Sequence, residues 1–168
     1  MIVVIGGGHA GIEAAMAAER LGVPVTLITL RKNGIGQMSC NPAIGGLGKG
    51  HIVKEVDALG GLMPKAIDQT GIQFRTLNSS RGPAVRASRA QADRFQYQLW
   101  MEKAVTSKIK VIEGEVSKIN VKNSRVTSVE LKTGELINCF SLVVTTGTFM
   151  RGLMHTGSSM TEGGRKGD

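Results

Sequence analysis

The sequence has few aromatic residues and few cysteines. Aromatic residues make up 4% of its 168 residues and hydrophobic residues 41%, so we expect an aliphatic core in which helices pack closely on a sheet. Cys40 and Cys139 are far apart and lack metal-ligand spacing. This spacing argues against a disulfide framework and a metal site, and it favours a reducing compartment.

The sequence also lacks an apolar run long enough to cross a membrane, and no basic leader precedes the first apolar residues. We therefore expect a cytoplasmic protein that does not enter a membrane. Positive charge is in excess, with a net charge of +8 and a pI near 9.9. This excess favours an anionic partner such as nucleic acid, although general solubility explains it equally well.

Glycine is abundant, and its spacing near the start of the chain is informative. Apolar residues 2–5 predict a short strand, and an alanine-rich segment with helical periodicity extends to Leu21. Between them, Gly6, Gly8 and Gly11 have the G-x-G-x-x-G spacing of dinucleotide-binding turns. In such turns the first glycine permits a tight turn, the second lets a pyrophosphate approach the backbone, and the third lets the helix approach the strand.

A second apolar run, residues 25–30, completes a strand–helix–strand unit. Many dinucleotide folds carry an acidic residue near the end of this strand to bind the ribose, but this chain has Arg31 and Lys32 there. These cations suit the 2′-phosphate of NADP, or they are solvated loop charges.

Residues 34–50 form a long glycine-rich stretch that contains Cys40. So long a loop in a compact fold usually has a function. Cys40 is either a reactive thiol near a cofactor or a small buried hydrophobic residue.

Arginines are concentrated in the middle of the chain. Patterns there predict helices at 51–59 and 62–69, a strand at 71–77 and a polar loop at 78–89. The arginines in and around that loop suit phosphates, and the nucleic-acid contacts predicted here are Arg75, Arg81, Arg86 and Arg89, with Arg94 nearby. The alternative is a solvated run of charge.

The remaining patterns are typical of an α/β fold. Ser88 and Gln91 have capping-box spacing for a helix to about Val105, with Phe95, Leu99 and Trp100 as its core face. A strand at 109–113 and an antiparallel β-meander at about 115–138, with turns near 123–124 and 133–134, should follow.

A buried strand over residues 141–147 ends in Thr145, Thr146 and Gly147. We expect this end beside the first glycine turn, where Thr146 and Gly147 make a second cofactor contact. Residues 157–168 are glycine-rich and have no closing element, so the chain reads as an incomplete Rossmann-like domain with a meander insertion.

Longer motifs make the identification more specific. The segments GGGHAG, GQMSCNPAIGGLGKGHIVKEVDALGG, DQTGIQFRTLN, GPAVRASRAQAD and TTGTFMRG together resemble the GidA family, also called MnmG. The resemblance covers nearly the whole chain. It implies that residues 1–168 are the N-terminal part of an FAD-binding domain, with the rest of the enzyme beyond Asp168.

This resemblance implies an FAD-dependent enzyme that adds a carboxymethylaminomethyl or aminomethyl group at C5 of the wobble uridine of tRNA. Family members act as homodimers with a GTPase of the MnmE family. They use NADH as reductant and methylene-tetrahydrofolate as the one-carbon source.

The resemblance also implies roles for individual residues. The FAD pyrophosphate would lie on the first glycine turn, Val116 matches an adenine-side position, and Cys40 matches a cysteine implicated in catalysis. Glu162 stands where the family often has serine, which puts one flavin contact in question. The pyrophosphate contacts implied in this way are Gly6, Gly7, Gly8, His9, Ala10 and Gly11.

Three other functions remain open at the level of sequence. The first is a folate- and FAD-dependent tRNA uridine methyltransferase, which belongs to a sister family. The second is an NADPH-dependent flavin reductase, and the third is a non-catalytic RNA-binding module.

Overall fold

A computed structural model describes residues 1–164 of the chain. The chain alternates strands and helices in its first two thirds and is largely β-structure thereafter. The elements in chain order are β1 (Ile2–Ile5), α1 (His9–Arg20), β2 (Val25–Thr29), β3 (Ala43–Gly45), α2 (Lys49–Ala58), α3 (Leu62–Thr70), β4 (Gly71–Leu77), β5 (Ala87–Ala92), α4 (Arg94–Thr106), β6 (Lys110–Glu113), β7 (Val116–Lys122), β8 (Arg125–Leu131), β9 (Leu136–Asn138), β10 (Ser141–Val144), β11 (Leu153–Thr156) and β12 (Ser159–Glu162).

The centre of the fold is a parallel sheet of four strands in the order β10-β1-β2-β6. Every residue of β2 is buried, because both faces of this sheet are covered. Side chains alternate between the faces, so Val4 and Leu27 enter one apolar cluster while Val3 and Ile28 enter another. The predicted α/β fold class is confirmed.

One face of the parallel sheet is covered by helices, and a second, antiparallel sheet packs against helices α2 and α3. That sheet has the strand order β3-β5-β4, and Ile44 and Ala90 lie in the cluster beneath it. Helix α1 contributes Ile12 and Met16 to the same cluster. The close approach of small and aliphatic side chains agrees with the low aromatic content.

The meander of β7, β8 and β9 covers the other face. Asn123 and Ser124 both have positive φ, of 52° and 58°, which is the geometry of a tight hairpin turn. Cys139 is buried in the cluster beneath the meander, and this burial raises the pKa of its thiol. The predicted span and turns of the meander are both present.

The predicted start of α4 is wrong. Ser88 and Gln91 do not cap a helix, because both lie in β5, which pairs with β3 and β4. Asp93 is the cap instead, and one of its carboxylate oxygens accepts the backbone N–H groups of Phe95 and Gln96 at 3.0 Å.

The helix consequently buries a different face from the one predicted. Phe95 and Leu99 are 77% and 59% exposed, while Trp100 is only partly buried against the core. The core positions of α4 are Tyr97, Met101 and Val105, which recur every four residues.

Two segments that the sequence presents as loops contain strands. Residues 34–50 include β3, and residues 153–162 form an antiparallel hairpin of β11 and β12. Glu162 pairs with Leu153 at the end of this hairpin. The last four residues of the glycine-rich tail, 165–168, lie outside the described residues.

Candidate dinucleotide-binding site

The glycine turn lies at the carboxyl end of the parallel sheet, between β1 and α1. Gly6 has φ of +112° and its α-carbon faces Thr145, whose carbonyl oxygen a side chain at Gly6 would overlap. The Thr145 hydroxyl donates to the Ile5 carbonyl oxygen at 2.7 Å, and its backbone N–H donates to the same oxygen at 2.8 Å. The end of β10 therefore holds the turn from one side, as the sequence predicted.

The opposite side of the turn is held by β2 and by the loop after it. Gly6 donates its N–H to the Ile28 carbonyl at 2.8 Å, and Gly36 donates to the Gly7 carbonyl at 3.0 Å. A methyl group at Gly11 would overlap the Gly6 carbonyl oxygen, so only glycine fits at this position of the helix. Backbone hydrogen bonds therefore constrain the turn on both sides.

The start of α1 is open where an anion would approach. Gly8 is its N-cap and supplies no side-chain hydrogen bond, and the first turn has no acidic residue. The first backbone N–H groups of a helix lack intrahelical partners and carry positive partial charge. A methyl group built on Gly8 meets nothing within 4 Å. A phosphate can therefore reach these amides without displacing protein atoms.

His9 lies beside this start and packs against α4. Its ring is 5.7 Å from the ring of Tyr97, at an angle of 47°. Burial lowers the pKa of His9 from 6.5 to about 4, and the charge of Lys49 acts in the same direction. Burial also raises the pKa of Tyr97, and the carboxylate of Glu13 adds to this effect. Both side chains are neutral near pH 7.

Two polar atoms of this pair have no hydrogen-bond partner among the described residues. They are His9 Nε2 and the Tyr97 hydroxyl, and both are buried. Buried polar groups are normally hydrogen-bonded, so orphaned atoms beside an open helix start point to a bound polar group or water. Tyr97 was not predicted from the sequence, although the spacing of Tyr97, Met101 and Val105 after Asp93 carried a signal for its burial.

The other predicted cofactor residues lie in three places. Ala10 is exposed in the first turn of α1, next to the open amides. Thr146 and Gly147 follow β10 at the same end of the sheet as the glycine turn. Val116 is the first residue of β7 and packs against the cluster beneath the meander. Their roles toward a cofactor stay predictions.

Cys40 is a free, exposed thiol, so its interpretation as a buried hydrophobic residue is wrong. Its carbonyl oxygen accepts a hydrogen bond from Arg94 Nη2 at 2.6 Å, which ties the loop to the start of α4. Four residues earlier, Gly36 contacts the glycine turn through its backbone. The Cys40 loop and the glycine turn thus belong to one end of the molecule.

The five arginines of the predicted patch separate into three groups. Arg75 and Arg89 are directly opposite on β4 and β5, and both line one cavity. Arg81 and Arg86 are exposed on the connection between these strands, where Arg86 Nε donates to the Arg81 carbonyl at 3.0 Å. Arg94 is bound to the Cys40 loop and faces a different neighbourhood.

The region of Arg31 and Lys32 contains a carboxylate. Glu113, at the end of β6, accepts the Lys32 backbone N–H at 2.7 Å. A negative charge at this position repels a 2′-phosphate. The NADP interpretation of these two cations stays a prediction.

Two further features are absent from residues 1–164. No group of histidine, cysteine and acidic side chains there is arranged to hold a metal ion. No helix there has the length and hydropathy required to span a bilayer.

The parallel sheet, the glycine turn and the open helix start define a Rossmann-like dinucleotide-binding fold. Comparison with known proteins assigns the family. The family model described as Glucose inhibited division protein A matches residues 1–168, and the chain belongs to this family.

Individual relatives agree with this assignment. The chain is 53% identical to a tRNA uridine 5-carboxymethylaminomethyl modification enzyme MnmG from Geotalea uraniireducens, over 99% of the chain and 27% of the relative. It is similar to the crystal structure of Aquifex aeolicus GidA in its form I crystal, with 51% identity, a TM-score of 0.95, and coverage of 99% of this chain and 28% of that one. A GidA-related protein from Thermus thermophilus shares the fold, with a TM-score of 0.70 at 15% identity, over 99% of this chain and 61% of that one.

The chain therefore spans little more than a quarter of the length of the Geotalea and Aquifex relatives.

Proposed function

We propose that this chain is part of an FAD-dependent enzyme that modifies a uridine of tRNA. The observation that carries the proposal is the open start of α1, where uncapped amides, the bare Gly8 and no acidic residue form a site for a diphosphate. The orphaned His9 Nε2 and Tyr97 hydroxyl beside it fit a ligand that also carries hydroxyl groups. FAD has both features.

The relatives support the choice of substrate. The Geotalea uraniireducens relative is named for carboxymethylaminomethyl modification of tRNA uridine, and its identity of 53% extends over nearly the whole chain. The proposed reaction places a carboxymethylaminomethyl or aminomethyl group at C5 of the wobble uridine. By resemblance, NADH, methylene-tetrahydrofolate, an MnmE-family GTPase and a homodimeric assembly complete the proposal.

Each part of the chain has a distinct task in this proposal. Bound FAD supplies the redox chemistry, and the protein supplies placement and electrostatics. The residues from Gly6 to Gly11 hold the diphosphate, while Thr145 keeps the turn in place through Ile5. The exposed thiol of Cys40 is the nucleophile. The net charge of +8 attracts the tRNA.

Absorbance of the purified full-length protein tests the cofactor. We expect a flavin spectrum as purified, or after addition of FAD. A protein that neither carries nor binds FAD would contradict the proposal.

Mass analysis of tRNA from a deletion strain tests the reaction. We expect the carboxymethylaminomethyl or aminomethyl group to be missing from the wobble uridine. Loss of a 5-methyluridine would instead assign the protein to the folate-dependent methyltransferases. Unchanged tRNA would favour a reductase or a non-catalytic RNA-binding module.

The role of Cys40 is tested by Cys40→Ser, with Cys139→Ser as the matched control. Cys40 is exposed, so its replacement should leave folding intact and abolish turnover. Cys139 is buried beneath the meander, so its replacement should lower thermal stability and leave the turnover of the folded fraction unchanged. Full turnover in Cys40→Ser would remove the thiol from the mechanism.

A further inference from the structure

The outer face of the antiparallel sheet carries a small polar cavity. Its volume is about 190 Å³, and it is lined by Gln73, Arg75, Leu77, Arg89 and Gln91. This volume is below the roughly 300–1,000 Å³ typical of pockets for drug-sized molecules, so the cavity is sized for part of one nucleotide. The opposite face of the sheet packs on the core through Ile44 and Ala90.

The strand register places like side chains opposite each other. Gln73 is paired with Gln91, and two residues further along Arg75 is paired with Arg89. Residues two apart in a strand point to the same face, so these side chains form a short ladder of two amides and two guanidinium groups. The neighbouring strand β3 offers only Ala43 and Gly45 opposite Gln91 and Arg89, so small residues border this ladder.

The arginine pair has an uncompensated charge. Like charges directly opposite in a sheet destabilise it, and within residues 1–164 neither Arg75 nor Arg89 forms an ion pair with a carboxylate. A bound anion would remove this repulsion. The guanidinium fork fits a phosphate through two parallel hydrogen bonds.

The glutamines add a different kind of recognition. Each amide has a donor and an acceptor on neighbouring atoms, which matches the carbonyl and N–H groups on the pairing edge of an unpaired base. Along the chain, positive charge continues into the loop that connects β4 and β5, where Arg81 and Arg86 are exposed. A polyanion matches this continuation, whereas a small free anion would use only the cavity.

We propose that Arg75 and Arg89 bind a phosphate of one unpaired nucleotide of the tRNA, and that Gln73 and Gln91 contact the edge of its base. This inference rests on the proposed function, and it assigns base recognition to the ladder on β4 and β5. Specificity for uridine then depends on the two amides, and charge attraction depends on the two guanidinium groups.

The test uses the purified full-length protein and an anticodon stem-loop RNA with uridine or cytidine at the modified position. Dissociation constants are measured over a range of salt concentrations for wild type, Arg75→Gln/Arg89→Gln and Gln73→Ala/Gln91→Ala. The matched control is Lys118→Gln/Lys122→Gln, which removes two exposed charges from the meander. Melting temperature and flavin absorbance show that each variant is folded.

We expect the arginine variant to bind at least about tenfold more weakly at low salt, with the slope of log Kd against log salt reduced by about one to two. The glutamine variant should keep the wild-type slope and lose about fivefold or more of its preference for uridine over cytidine. The lysine control should bind like wild type.

Two results would overturn the inference. The first is an arginine variant with the wild-type slope, or a glutamine variant with the wild-type preference. The second is competition by inorganic phosphate or citrate that depends on Arg75 and Arg89 while RNA binding does not, which would assign the cavity to a small anion. A wild-type protein that binds neither FAD nor tRNA would instead refute the proposed function, so the two failures are distinguishable.

Discussion

The glycine turn and the outer face of the antiparallel sheet are opposite in construction. At the turn, Ile5, Gly6 and Gly7 are bonded to strands and loops on both sides, and added side-chain atoms at Gly6 or Gly11 meet backbone. On the outer sheet face, Arg75 is exposed, and Arg89 opposite it has no carboxylate partner within residues 1–164. The first region fixes backbone amides, and the second presents side chains.

This contrast suits the two different ligands proposed for these regions. A diphosphate requires amides at fixed positions, and rigid backbone provides them without side-chain reorganisation. A flexible polynucleotide requires charge that can adjust, and long arginine side chains provide it. Substitutions should therefore affect folding and cofactor together at the turn, and affect only binding on the sheet face.

The largest loss of stability should come from Gly11→Ala in the full-length protein. Its new methyl group overlaps the Gly6 carbonyl oxygen, so we expect a loss of about 3 kcal/mol or more in the free energy of unfolding, with loss of flavin. Gly8→Ala is the matched control, because a methyl group there meets nothing within 4 Å.

The control should lose less than about 1 kcal/mol of stability but most of its flavin affinity, since its methyl group occupies the approach to the amides. Denaturant unfolding without FAD and flavin content after purification measure the two effects. Equal loss of stability in both variants would contradict the division between a packed and an open side of the turn.

A second prediction uses the pH dependence of His9. Its pKa in the folded protein is lowered from 6.5 to about 4, so the unfolded chain binds more protons between these values. Stability should therefore fall as the pH is lowered from 6.5 to 4, by an amount on the order of 1–3 kcal/mol.

Unfolding measured across this range, with His9→Gln for comparison, isolates the contribution of this residue. His9→Gln should flatten the pH profile, because it removes the buried group that takes up a proton on unfolding. The same profile in wild type and His9→Gln would show that His9 is not buried as a neutral group.

A smaller loss of stability is expected for Thr145→Val, which keeps the shape of the side chain and removes its hydroxyl. The lost hydrogen bond to the Ile5 carbonyl should cost about 1 kcal/mol. Thr127→Val is the control, since its exposed hydroxyl bonds to Asn120 at 3.2 Å and should contribute close to zero. Equal unfolding midpoints for the two variants would mean that the Thr145 hydroxyl does not stabilise the turn.

The smallest effect on stability is expected for Arg81→Gln/Arg86→Gln, on the loop between β4 and β5. Both residues are exposed, so stability should change by less than about 0.5 kcal/mol. Binding of tRNA should weaken roughly two- to fivefold at low salt and converge on wild type at high salt. Binding that is unchanged at every salt concentration would exclude this loop from the RNA interface.

Local patterns predicted much of this fold, and non-local pairing accounts for what they missed. The alternation of residues 71–77 gave the bounds of β4, and the turn residues Asn123 and Ser124 gave those of the meander. Strand β5 was missed because ASRAQA has little intrinsic strand preference, and it is a strand because β3 and β4 flank it. With that strand misassigned as helix, Asp93 could not be identified as the cap.

In the candidate site, too, local patterns predicted some features and non-local contacts determine the others. Glycine spacing located the turn, and strand order placed Thr145 beside it. The contact between His9 and Tyr97 joins residues far apart in the chain, and no local pattern encodes their orphaned polar atoms. The cross-strand arginine pair likewise depends on the register of β4 with β5.

The positions of the two cysteines have a practical consequence. Cys40 is exposed and accessible to a maleimide in the folded chain, whereas Cys139 should react only when the β7–β9 layer separates from the parallel sheet. The alkylation rate of Cys139 therefore reports how often the β7–β9 meander separates from the parallel sheet.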